Sequence, residues 1–115
     1  MGALVYSAGT SYEMDDRTLA HVKVAVGLRL RRHESFYLTW MVPPGHGSGR
    51  ISIWVSPAIP LEFRFASGRV LELNRQWLQA MNTSAEGEAG MLIMHEDEAA
   101  RFVAATGAPD GPPVH

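Results

Sequence analysis

Residues 35–66 read SFYLTWMVPPGHGSGRISIWVSPAIPLEFRFA, and the spacing of the large apolar side chains in this stretch decides the fold class. Phe36, Leu38 and Trp40 alternate with Tyr37, Thr39 and Met41. Ile51, Ile53 and Val55 alternate with Ser52 and Trp54, and Leu61, Phe63 and Phe65 alternate with Glu62 and Arg64. Successive side chains on a strand point to opposite faces, so this period of two predicts three strands with one dry face and one mixed face. Prolines and glycines punctuate residues 43–49 as a loop, which makes the first two strands antiparallel neighbours. Ser56-Pro57-Ala58-Ile59-Pro60 is a second, proline-bounded connection.

Upstream, residues 4–7 and 11–14 read as short strands joined at Ala8-Gly9-Thr10 in a hairpin. Residues 17–32 carry two superposed patterns. Leu19, Val22, Val26 and Leu30 recur at helical spacing, while Val22, Val24, Val26, Leu28 and Leu30 also alternate. A helix is expected, because Asp15 or Asp16 can cap the first turn, Arg29, Arg31 and Arg32 suit its negative end, and four turns exceed a common strand. Downstream, 70–73 is a short extended piece. Asn74 caps a helix over 75–81 that buries Trp77, Leu78 and Met81. Residues 91–94 return as a last strand. Asp97 starts a short helix through Ala105, with Gly107 as its stop.

The order β-β-α-β-β-β-α-β with an appended helix predicts an α+β fold: an antiparallel-rich sheet roofed by one main helix. Phe36, Trp40, Ile53, Val55, Phe63 and Phe65 are the expected dry face, packed on Leu19, Val22 and Val26. The 115 residues suit a single domain over 1–107 with a tail at 108–115. At 46% hydrophobic content the chain can build a core, and a domain of this size buries roughly 65% of its unfolded surface.

The formal net charge is −2, which gives little long-range pull on nucleic acid or an anionic membrane. There is no cysteine, so disulfides and thiolate metal sites are excluded. No signal peptide or transmembrane stretch is visible, and a cytoplasmic location with no membrane contact is the expectation.

Catalytic patterns are sparse. His21, His33, His46, His95 and His115 form no arrangement with a nucleophile and read as surface and loop residues. Gly47-Ser48-Gly49 lacks the frame of a nucleophile elbow. His95 with Glu96, Asp97 and Glu98 resembles a solvated helix start more than a metal cage. Residues 45–50 could cradle a phosphate, but a strand follows where a helix is needed. No catalytic set, metal or cofactor is expected.

Several phrases together resemble a known family. They are Met14-Asp15-Asp16-Arg17-Thr18-Leu19-Ala20-His21, Leu30-Arg31-Arg32, Glu34-Ser35-Phe36, Gly47-Ser48-Gly49-Arg50, Ser52-Ile53-Trp54 and Ile59-Pro60-Leu61. Phe63-Arg64-Phe65, Asn74-Arg75-Gln76-Trp77-Leu78 and Ser84-Ala85 complete the set. They are similar to a family of small, uncharacterised actinobacterial proteins, with a family-like core over 1–94. Members are sometimes labelled "ATP-dependent DNA ligase". The residues argue against literal ligase activity, which needs an adenylated lysine in a Lys-x-Asp-Gly setting. The sole lysine, Lys23, sits in Val22-Lys23-Val24-Ala25-Val26.

The expected function is therefore non-enzymatic binding, through self-association or a protein partner. Tyr37, Met41 and Trp54 are the expected anchors on the mixed sheet face, with Arg64 at the rim. The alternative is a nucleic-acid-associated accessory protein that uses Arg29, Arg32 and Arg50 against phosphate.

Overall fold

The computed structural model describes residues 1–42 and 49–106. Most of the glycine loop, with its suggested anion cradle, and the tail after Thr106 lie outside the described residues. The elements are β1 (Gly2–Tyr6), β2 (Thr10–Met14), α1 (Asp16–Leu30), β3 (Phe36–Met41), β4 (Arg50–Val55), β5 (Leu61–Arg64), α2 (Arg75–Ser84), β6 (Met91–Leu92) and α3 (Glu96–Thr106). The α+β class and the element order are those expected. No helix among the described residues is long and apolar enough to cross a membrane.

α1 forms because its apolar residues and its cap agree. The Asp15 carboxylate accepts the Thr18 backbone N–H at 3.1 Å and the Thr18 hydroxyl at 2.7 Å. Leu19, His21, Val22, Ala25, Val26 and Arg29 are buried along one side. Leu28 is exposed and Val24 half-buried, which disposes of the alternating pattern. The helix stops two residues short of Arg32, and His33 then takes a left-handed φ of 60° as the chain turns into β3.

The strands divide into two three-stranded sheets, ordered β2-β1-β5 and β4-β3-β6. β3 and β4 pair antiparallel from Phe36↔Val55 to Met41↔Arg50, as the short connection implies. β5 does not continue that sheet. It crosses to β1 and pairs antiparallel with it, Leu4 opposite Phe63. Pro57 and Pro60 have no N–H to give a ladder, so this connection ends one sheet instead of extending it. The Pro60 carbonyl accepts the Ser7 N–H at 2.9 Å and seats the strand beside β1. Contacts from Tyr6 and Tyr12 tie the sheets together. The Tyr6 hydroxyl donates to the Trp54 carbonyl at 2.6 Å, and the Tyr12 ring meets the Trp40 ring edge-on at 5.1 Å.

The core gathers Leu4 from the first sheet, Leu38, Ile53 and Val55 from the second, Leu19, Val22 and Val26 from α1, and Trp77 and Met81 from α2. Phe63 packs against it half-buried, but Phe65 lies beyond the end of β5 and is exposed. The dry face is thus shorter than expected at this end. α2 is capped by Asn74, whose Oδ1 accepts the N–H groups of Gln76 and Trp77, and it runs three residues past Met81. α3 starts one residue before Asp97. The Glu98 carboxylate reaches back to the His95 N–H at 3.0 Å, a capping-box arrangement.

Gly90 makes the turn into β6 possible. Its φ is 82°, and a Cβ there would lie 2.4 Å from the Tyr37 carbonyl oxygen. Only glycine lets the chain pass this close to β3 and then pair with it in parallel, Leu38 beside Met91.

Candidate docking face

Antiparallel register places Tyr37 opposite Trp54, Thr39 opposite Ser52 and Met41 opposite Arg50. By alternation these six side chains share the face of β3 and β4 that points away from the core. Tyr37 and Trp54 pack edge-to-face, with ring centroids 5.0 Å apart and planes inclined by 67°. They remain 49% and 44% exposed, and Met41 is 71% exposed. Neither α2 nor α3 covers them. Midway along the face, the Thr39 hydroxyl bonds the Ser52 hydroxyl at 2.5 Å and the Ala89 carbonyl at 2.9 Å, so the polar centre is locally satisfied.

The face therefore has two unlike ends. Tyr37 and Trp54 form an aromatic end. Met41 and Arg50 form a cationic end with unbranched side chains about 13 Å away, at 3.3 Å per residue. A recess of about 260 Å³ runs between them, lined by Tyr37, Thr39, Ser52 and Arg50 with Glu88 and Ala89 on its bank. Arg50 makes no ion pair among the described residues.

Residues 1–96 match the family model of a domain of unknown function, DUF7882. The chain belongs to this family. No curated protein and no solved structure matches it. The DUF7882 region contains both sheets, α1 and α2, and hence every residue of the exposed face; its last matched residue, Glu96, opens α3.

Within this DUF7882 fold the expected site residues do not all come together. Tyr37, Met41 and Trp54 share one face. Arg64 does not: it lies on β5 in the other sheet, opposite Ala3, and pairs with Glu62. The cation on the aromatic face is Arg50. Arg29, Arg32 and Arg50 are not one cluster. Arg29 is buried, and its guanidinium donates to Asn82 Oδ1 at 3.0 Å, to the Asn82 carbonyl at 2.9 Å and to Glu34 at 2.9 Å. It staples the end of α1 to α2. Arg32 pairs with the same Glu34 at 2.6 Å. Hydrogen bonding from Arg32, with Arg29 nearby, holds the Glu34 carboxyl below the usual range.

One polar assembly escaped the sequence. His21, expected at the surface, is fully buried and stacks on Trp77 with ring centroids 4.3 Å apart. Its Nδ1 meets the Arg17 carbonyl at 2.7 Å, so Nδ1 carries the proton. Its Nε2 accepts the Asn74 backbone N–H at 2.7 Å. Arg17 grips Glu96 through two N–H groups at 2.8 and 2.6 Å, and the Asn74 amide adds a third bond at 2.8 Å. The Arg17 guanidinium, then Asn74, depress the Glu96 carboxyl to about 2. The group joins the starts of α1, α2 and α3. The imidazole is sealed from solvent with both nitrogens occupied, which suits structure and leaves nothing for acid–base chemistry. The available signal was that His21 precedes Ala25 and Arg29 at four-residue spacing on the buried side of α1.

Proposed function

We propose that the chain acts by binding, and that the Tyr37–Trp54 face docks on the same face of a second copy. The observation that carries this is an aromatic pair packed edge-to-face yet half exposed on a sheet face that no helix among the described residues covers. Large aromatic rings with few rotatable bonds are the side chains that concentrate binding energy at interfaces.

The choice of occupant follows from the unlike ends. A two-fold axis through the centre of the face, near Thr39 and Ser52, sets the Arg50–Met41 end of one copy over the Tyr37–Trp54 end of the other. Arginine over an indole face and methionine sulfur against an aromatic ring are both attractive contacts. The face is thus complementary to itself, which a closed symmetric dimer requires.

Size-exclusion chromatography with light scattering tests the idea. Wild type is expected at twice the 12.6 kDa chain mass. Trp54→Ala is expected as a folded monomer. A monomeric wild type at every concentration accessible to the detector ends the proposal.

A further inference from the structure

A broad depression lies on the α1 side of the fold, away from β3 and β4. The connection between β5 and α2, residues 65–74, crosses the outer side of α1 as a strap without regular structure. It is pinned at both ends. The Asp16 carboxylate accepts the N–H groups of Ala66 and Ser67 at 3.0 and 2.9 Å. At the other end the Asn74 N–H is held by His21 Nε2, and the Glu72 carbonyl accepts from Arg17 at 2.9 Å.

Between these pins the strap stands off the helix and leaves a groove of about 530 Å³. That is within the usual range for small-molecule sites. Its apolar lining comes from Val24, Phe65, Val70, Leu71 and Leu73. Val70 is 98% exposed at the mouth, and Phe65 and Leu73 are also open to solvent. Two cations line the same groove, Lys23 and Arg69, and no carboxylate does. Neither cation has an ion-pair partner among the described residues. The Lys23 ammonium lies 5.9 Å from the centre of the Phe65 ring, a position that keeps its charge at the apolar wall.

An apolar trough with unpaired positive charge and no negative charge is complementary to one chemical class. We infer that this groove binds an amphipathic anion: an unbranched alkyl chain ending in a carboxylate. The chain lies against Val24, Phe65, Leu71 and Leu73 and is covered by Val70, and the carboxylate meets Lys23 and Arg69. The site is independent of the sheet face and of any dimer formed through it. The sole lysine of the chain then has a ligand-binding role, on a helix where every buried position is already used for packing.

Isothermal titration of the full chain with dodecanoate below its micelle concentration tests this, with dodecyltrimethylammonium and acetate as companion probes. Saturable one-to-one binding of dodecanoate is expected, with affinity at least tenfold above that of the cationic analogue and no measurable binding of acetate. The double variant Lys23→Gln, Arg69→Gln changes only exposed side chains, so folding is retained; it is expected to lose at least tenfold in affinity. Val70→Asp, also fully exposed, is expected to weaken binding similarly. Failure of dodecanoate to saturate, equal binding of the cationic analogue, or undiminished affinity in the double variant overturns the assignment. Binding to anionic phospholipid vesicles without binding of monomeric dodecanoate also overturns it, because the strap is then a membrane contact.

Discussion

His21 Nε2 accepts the backbone N–H of Asn74 at 2.7 Å, so a neutral imidazole from α1 holds the first residue before α2. A second proton on the ring would face an N–H donor. Burial, the largest influence, also pushes the His21 pKa below 6.5. The folded state thus takes up its proton at lower pH than the unfolded chain. The contribution is whole above about pH 6.5 and is lost as pH falls from there toward the folded-state pKa. Urea unfolding at pH 7.5 and 5.5 is expected to show lower stability at 5.5. His21→Ala orphans the Asn74 N–H, is expected to remove about 1–3 kcal/mol, and flattens this part of the pH curve.

Glu96 controls a second, more acidic window. Its carboxyl is depressed from 4.5 to about 2, first by Arg17 and then by Asn74. Stability linked to this group is present above pH 4.5 and is lost as pH falls toward 2. Glu96→Gln keeps an acceptor for Asn74 but removes the charge. Its unfolding curve is expected to depend less on pH between 4.5 and 2 than that of wild type, measured by circular dichroism.

Arg29 and Arg32 look alike in the sequence and differ in the fold. Removing Arg29 leaves the Asn82 side-chain oxygen and carbonyl without their donor, while Glu34 keeps Arg32. Arg29→Ala is expected to lower unfolding free energy by about 1–3 kcal/mol. Arg32→Ala breaks an exposed pair and is expected to change it by less than about 1 kcal/mol. Neither variant is expected to alter DNA retention, because wild type is expected to shift no DNA even at low salt. Steeply salt-dependent DNA binding lost on Arg32→Ala or Arg50→Ala would restore the nucleic-acid alternative.

Gly90→Ala places a Cβ within 2.4 Å of the Tyr37 carbonyl and keeps a left-handed φ of 82°. Conformational strain alone is worth about 1–3 kcal/mol, and the backbone clash adds to it. The variant is expected to be destabilised by at least that amount in urea titration. Detachment of β6 is expected to show as faster hydrogen exchange at Ile93, whose N–H is bonded to Thr39.

The fold was legible where information is local. Period-two spacing marked β3 and β4. The recurrence of Leu19, Val22, Val26 and Leu30 behind Asp15 marked α1, and Asn74 marked the start of α2. What could not be read was pairing across long separations. β5 lies beside β1, although Leu61 and Tyr6 are more than fifty residues apart in the chain. Nothing in the alternation of Leu61, Phe63 and Phe65 with Glu62 and Arg64 names that partner, so spacing alone puts Arg64 on the wrong sheet's surface. Arg29 has the same cause: its partner Asn82 is 53 residues away, and locally it resembles a charge compensating a helix end. The aromatic face was visible beforehand because Tyr37, Met41 and Trp54 fall on the polar phase of two adjacent strands.

Self-association through that face is tested most directly by a dilution series of amide correlation spectra. Resonances of Tyr37, Met41, Arg50 and Trp54, including the Trp54 indole N–H, are expected to move with concentration while those of α3 stay still. A spectrum unchanged from dilute to concentrated solution would contradict the account, as would shifts centred on another surface.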